Sequence, residues 1–459
     1  MGRADVDNLG IPPLAGVCSY DEAMKLGYGV GCNIDLLRRY NYVETRLNQI
    51  AAAHILSTPE WEVKCGLSLH LWLDAEHSAA LRNRVTEMRE PPLHLDRVPD
   101  PALQVLLDEV IRAENTVELL VGVYRVVKPA LVRALRQHLN ETNRLVDYPT
   151  YRALRINLQE EEEMIAWGEQ AIAALMQSPE TLDLAQSWDT HVRAFLQAAG
   201  GITGDEDIQE DRPLPAPRSD GRPYEMDRVP RRDARFRDNC NMAAKVDDYY
   251  QDESRPYKER VYALVHKRLR EMDVPEWMGR ILCETPGKPW RYYVEMSRQL
   301  WDEARHAMMG EVALYRDGPP LYTYPVDGKM AMVLNTEFTP LEAHLMLWSI
   351  EQGLMARETG KRLEWLVAKN GDDELLATFQ DYDWADEVLH AQIGRRWLKP
   401  DFESNEQMRA RAQSVQERAI EPLERVTSQY DQKNWWPDFL ETMRAISATE
   451  AHIATPGSG

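Results

Sequence analysis

Two short stretches of this chain share one pattern: Asp302-Glu303-Ala304-Arg305-His306 and Asp386-Glu387-Val388-Leu389-His390. A Glu followed three residues later by a His puts both side chains on one face of an α-helix, a turn apart. There a carboxylate and an imidazole can grip one metal ion. Two such helices facing each other, each with a neighbouring helix that adds one more Glu, compose a dinuclear carboxylate centre inside a four-helix bundle. No other Glu-x-x-His occurs, although the chain has 11 histidines with which to make one.

The elements that must position these residues follow from apolar periodicity and capping. A helix over about 289–315 carries Tyr293, Met296, Leu300, Glu303, Ala307 and Leu314 on one stripe, so Glu303 faces inward. Thr339-Pro340 opens a helix with Leu341, Trp348, Glu351 and Met355 on one face, and Glu358 further along competes with Glu351. A helix over about 373–398 presents Phe379, Asp383, Glu387, His390, Gly394 and Trp397. Upstream, a helix from about 256 to 284 contains Asp273-Val-Pro-Glu276, either a fresh capping box or a kink, and either Glu276 or Glu271 can supply its ligand.

The expected ligand set is therefore Glu276 (or Glu271), Glu303, His306, Glu351, Glu387 and His390. Carboxylate and imidazole donors suit Fe or Mn better than a thiolate-seeking metal. Acids buried on apolar stripes without a cation would carry a heavy desolvation cost. Asp302 and Asp386 can each accept the ring N–H of a ligand histidine on the opposite helix, which would fix its tautomer.

The first half repeats the layout in weaker form. Helices are expected over about 33–56, 58–88, 101–140 (kinked at Pro129) and 151–176. Glu44, Asp74 and His77 match Glu276, Glu303 and His306, with Glu118 as a fourth acid and His70 a turn or so below. The fourth helix holds Glu160 to Glu163, but Ala166 stands where a second histidine is needed. An inert scaffold is the expectation for this half. Residues 199–235, rich in Gly, Pro and charge, read as a linker between a domain over 1–198 and one over 236–459. Residues 404–446 read as one or two further helices packed outside the bundle.

Composition narrows the function classes. The 459 residues suffice for two or three domains. A net charge of −21 argues against nucleic acid as partner. No apolar run of membrane-spanning length occurs, and the first residues lack the apolar core of a signal peptide. Cys18, Cys32, Cys65, Cys240 and Cys283 are scattered without a C-x-x-C pair. A soluble, cytoplasmic, mostly helical protein with reduced thiols is expected.

At Glu276, Pro286, Pro289, Trp301 to His306, Ile350 to Gly353 and Asp386 to Trp397, the chain resembles the ferritin-like diiron-carboxylate superfamily. In detail it looks like an uncharacterised ferritin-like family over roughly 255–400. Its spacing favours Glu276 over Glu271. The paired D-E-x-x-H is also similar to that of diiron arylamine N-oxygenases, although the Glu276 spacing is shorter than theirs. The resemblance implies an all-α fold of two fused ferritin-like four-helix bundles with extra terminal helices. It implies a site of two Fe (or Mn/Fe) in the second bundle, dioxygen as co-substrate, and Glu303 and Glu387 as bridging, catalytic carboxylates. The expected activity is a diiron oxidase or oxygenase that hydroxylates, desaturates or N-oxygenates a small organic substrate. An external electron donor and a homodimer are compatible with this. A ferroxidase or peroxide-defence protein, and a non-catalytic partner subunit, are the alternatives.

Overall fold

The computed structural model of the chain describes residues 9–89, 95–207, 214–219, 221–236, 246–319, 321–323 and 325–454, with side chains to residue 446. Cys240, residues 91–94 of the proline-rich loop, part of the 199–235 segment and the end of the C-terminal tail lie outside these. All regular elements among the described residues are helical. None of their helices is long and apolar enough to cross a membrane. The cysteines described, Cys18, Cys32, Cys65 and Cys283, are free thiols.

Two compact units emerge. One comprises Met1–Ile50 with Leu73–Glu225, the other Ala51–Trp72 with Met226–Gly459. The chain passes between them three times: after Glu225, inside the segment read as a linker, and after Ile50 and Trp72, within the stretch 1–198 expected as one domain. Residues 51–72 group with the second unit because their partners are there: the Leu56 carbonyl accepts from Arg231 N–H, and Trp61 Nε1 donates to Glu311.

The first unit contains α1 (Val30–His54, to Ile50), α2 (Trp61–Thr86, from Leu73), α3 (Pro101–Val110), α4 (Thr116–Leu120), α5 (Lys128–Glu141), α6 (Tyr148–Leu175) and α7 (Pro179–Ala198). Leu37, Leu47, Leu106, Leu131, Leu135, Leu154, Ile172 and Trp188 are buried in its core. The expected single helix over 101–140 is instead interrupted after Val110 and restarts behind Asn115, whose side chain accepts from Glu118 N–H. A π-helical turn, Val121–Val127, joins α4 to α5. Pro129 has no N–H for the Arg125 carbonyl, and Arg193 Nη2 donates to that carbonyl at 3.0 Å instead. The wide π turn sits where the helical hydrogen bonds must change register.

In the second unit, α8 (Val246–Gln251) precedes α9 (Tyr257–Arg270), α10 (Asp273–Glu284), α11 (Trp290–Asp317), α12 (Lys329–Glu337), α13 (Pro340–Leu354), α14 (Lys361–Asn370) and α15 (Glu374–Leu398). Then come α16 (Asn405–Thr427) and α17 (Trp436–Ala454). α9 packs on α11 and α14, α10 on α11 and α13, and α15 on α11, α13 and α14. The result is a ring of four helical columns: α9 with α10, α11, α13 with α14, and α15. The first column breaks at Glu271-Met272 because Pro275 offers no N–H to the Glu271 carbonyl. The third breaks between Leu354 and Lys361. There Gly360 permits a turn so tight that a Cβ would meet the Leu354 oxygen at 2.0 Å. α13 opens as its sequence requires, with a reciprocal capping box between Thr339 and Glu342 and Pro340 in its first turn.

The outer helices pack on this ring. α16 lies on α12 and α13, and Arg411 and Arg418 hold Glu342. Trp435, Trp436 and Phe439, at the start of α17, surround His266 of α9 at 4.8, 5.7 and 4.4 Å between ring centroids. Burial, with Arg270 adding to it, pushes this imidazole down to about 3. The unfolded chain takes up a proton near pH 6.5 that folded His266 refuses until about pH 3, so this contribution to stability is full above 6.5 and is lost as pH falls below it. His266→Phe, which keeps the aromatic packing, is expected to make stability fall less steeply between pH 6.5 and 5, by up to about 1.4 kcal/mol per pH unit. Urea unfolding of both proteins across that range measures the difference.

Candidate metal centre

Four side chains from three columns converge inside the second unit. Glu303 (α11), Glu351 (α13), Glu387 and His390 (both α15) each offer a donor atom within 4.8 Å of the others. All four are buried. His390 Nδ1 lies 3.1 Å from Glu303 Oε1 and 3.3 Å from Glu387 Oε2, out of line for a hydrogen bond. Glu351 Oε1 accepts from Gln299 at 3.1 Å, while its Oε2 has no hydrogen-bond partner. Buried polar atoms are almost always paired, and four unpaired ones gathered this closely could hold a cation. Gly394 lets α13 reach α15 at this level, for a Cβ there would stand 2.8 Å from the Trp348 ring.

A second group adjoins the first. His306 Nδ1 lies 3.2 Å from Asp383 Oδ1 and 3.4 Å from Glu271 Oε2. It also lies 3.9 Å from both Glu303 Oε2 and Glu387 Oε1, which link the two groups. The histidine rings are held from behind by acids on the opposite helix. Asp302 Oδ2 is 3.3 Å from His390 Nε2, and Asp386 Oδ2 is 3.2 Å from His306 Nε2. Arg305 Nη2 ties both acids together at 2.7 and 2.6 Å. With each Nε2–H donated to an aspartate, each Nδ1 is turned toward the carboxylates, where it carries a proton in the metal-free chain and would offer its lone pair to an ion that displaced that proton.

The charges of the two groups are compensated differently. Burial pushes Glu351 well up, with Glu387 and Glu303 adding to it, and burial and Glu387 likewise raise Glu303. Burial opposes the ionisation of Glu271 and Glu387 too, but nearby cations prevail. Arg268 and Lys361 hold Glu271 down to about 2, and Lys361 with His390 holds Glu387 well below the usual carboxylate range. His306 is driven up to about 10 against its burial by Asp383, Asp386 and Glu271.

The structure thus brings together five of the six residues expected as ligands, and places Glu276 elsewhere. The Glu276 carboxylate is paired with Lys64 and, at 2.5 Å, with Arg232. The break at Glu271-Met272 resets the helical phase, so Glu271 faces the site and Glu276 faces away. Glu358 is exposed in the turn after α13, which leaves Glu351 as that column's donor. Asp383 lies one turn before Glu387 on the stripe already read from the sequence, but was not expected as a donor. Lys361 and Arg268 carry no local signal.

In the first unit, Glu44, Asp74, His77 and Glu161 gather in the same way. His77 Nδ1 lies 3.3 Å from Glu44 Oε1 and 3.5 Å from Glu161 Oε1. The expected fourth acid, Glu118, instead binds Arg218 at 2.6 and 2.9 Å. Arg218 comes from the segment read as a linker, and no helical pattern could have announced it. Glu161 fills the vacancy, and His70 takes no part in the group. Comparison with protein-family models, curated proteins and solved structures yields no match.

Proposed function

We propose that the second unit is a ferritin-like carboxylate-bridged metal centre, and that the protein is a non-haem iron oxidoreductase using dioxygen on a small organic molecule. The observation that carries this reading is the convergence of the unpaired Glu303, Glu351, Glu387 and His390 atoms in a buried site. The donor set fits iron or manganese: hard carboxylates, and imidazoles whose tautomer is fixed from behind. One ion would be held by Glu303, Glu351, Glu387 and His390, and a second by Glu271, His306 and Asp383. When bound, such ions supply the electrons and open positions for dioxygen activation.

The chain's own residues do the rest. Glu303 and Glu387 stand on facing helices between the two groups and are the carboxylates able to span both. Asp302, Asp386 and Arg305 lock the imidazoles. Met296, Leu300 and Trp348 keep the surrounding helix faces apolar and water-poor. The shared placing of Glu44, Asp74 and His77 in the first unit and Glu271, Glu303 and His306 in the second supports a duplicated bundle. The test is to load the metal-free chain with Fe(II) without air, desalt it, and measure retained iron and then oxygen consumption with candidate small molecules. Iron retention with substrate-linked oxygen uptake is expected. Oxygen uptake coupled only to Fe(II) oxidation would turn the reading to iron handling, and no retained iron would sink it.

A further inference from the structure

Each unit buries one lysine among the acids of its carboxylate–histidine group. In the first, Lys128 Nζ lies 2.6 Å from Asp74 Oδ1 and 2.9 Å from Glu161 Oε1. In the second, Lys361 Nζ lies 2.9 Å from both Asp383 oxygens, 2.8 Å from Glu387 Oε1 and 3.5 Å from Glu271 Oε1. Neither lysine is exposed to solvent. A buried ammonium is stable only where good geometry and ample opposite charge offset its desolvation, and here the acids of the proposed centre are those partners.

The lysine does not serve the two metal positions equally. Asp383 is held by Lys361 and, at 2.5 Å, by Arg268 Nη1. Glu271 is held by Arg268 Nη2 at 2.8 Å with Lys361 close by. Two of the three donors of the His306 position therefore already have fixed cations. Among the described residues, by contrast, no Lys or Arg forms an ion pair with Glu303 or Glu351. Their charge has no partner from the chain beyond the histidines.

Resting on the metal-centre reading, we infer that Lys361 competes for the His306 position. The site then fills unequally: one divalent ion binds tightly at Glu303, Glu351, Glu387 and His390, and a second binds only by displacing the Lys361 ammonium. A divalent cation gains less Coulomb energy among acids that are already paired, and it must break the lysine's hydrogen bonds to enter. The helical break at Gly360 puts Lys361 at the very start of α14, at the level of the site. There its long, unbranched side chain can withdraw when a second ion arrives. Lys361 acts here through the ligands' charge, as a positioning residue.

The test is a Mn(II) titration of the full metal-free chain, followed by calorimetry and electron paramagnetic resonance, neither of which depends on turnover. For the parent, an isolated Mn(II) spectrum is expected at the first equivalent, with a second step at least about 30-fold weaker. In Lys361→Met the second step is expected to tighten by about 10-fold or more, with an exchange-coupled spectrum appearing at two equivalents. Lys361→Met strips three acids of their ammonium and can unfold the unit, so Lys361→Gln, which keeps a polar partner, is measured beside it. Glu271→Gln should remove the weak step alone. Two equally tight steps in the parent, or an unchanged weak step in a folded Lys361 variant, would overturn the inference and leave the metal centre standing. No Mn(II) uptake by the parent would overturn both.

Discussion

Replacing His390 by alanine is expected to lower iron retention at least about 100-fold while leaving the helix content unchanged. The imidazole gives the Glu303, Glu351 and Glu387 group its one nitrogen donor, and its Nδ1 is already turned inward by the bond from Nε2 to Asp302. Its loss leaves three acids to share an ion that they can no longer surround. The fold survives because Asp302 keeps Arg298 at 2.8 Å and Arg305 at 2.7 Å as partners, while Glu303 and Glu351, already pushed up by burial, meet the loss of the imidazole by holding a proton. A conservative change behind the ligand should have a graded effect: Asp302→Asn frees the ring to turn and is expected to cost 10–100-fold in affinity. Iron per chain after desalting, with circular dichroism as a folding control, measures both. A folded His390→Ala protein that keeps its iron would show that the cluster is a self-neutralised core and no metal centre.

The parts of this site legible in the sequence are those written within one helix. Glu303 with His306, and Glu387 with His390, need only the three-residue spacing, and the inward faces of their helices follow from Leu300, Ala307 and Gly394. The cross-helix pairing of Asp302 with His390 and Asp386 with His306 was also readable, since each aspartate precedes its own Glu and points past it to the facing helix. The all-helical architecture and the capping of α13 at Thr339 were readable for similar reasons. Legibility ends where partners come from far along the chain. Arg218 removes Glu118 from the first group, and Glu161 replaces it on a helix that carries no Glu-x-x-His frame to announce it. Lys361 sits beyond a turn whose shape depends on Gly360, so no continuous stripe leads from Glu351 to it. The segment 51–72, the end of α1 and the start of α2, joins the second unit through Leu56 and Trp61, whose partners lie well over a hundred residues later.

Glu276 shows the same limit with the largest energetic consequence. Helical spacing left it open against Glu271 and the family resemblance favoured it as the ligand, yet it lies wholly buried between Lys64, from the turn-proximal part of α2, and Arg232. Lys64 is itself 2% exposed, and burial pulls its ammonium down against the opposing pull of Glu276. Removing one partner of a buried pair leaves the other charge uncompensated, which costs far more than the pair contributes. Glu276→Gln is therefore expected to destabilise the second unit by about 3–5 kcal/mol, read as a shift in its urea unfolding midpoint, while leaving the tight metal step unchanged. Lys64→Met should produce a smaller loss, because Arg232 still holds Glu276, and Glu276→Gln with Lys64→Met together less than the sum, because the double variant buries no orphaned charge. Glu271→Gln should behave in the opposite way, removing the weak metal step at a smaller cost in stability, since Arg268 keeps Asp383 and Glu364 as partners. If instead Glu276→Gln loses the metal and keeps its stability, the chain turns at Glu271-Met272 differently from the break described, and Glu276 is the ligand of that column.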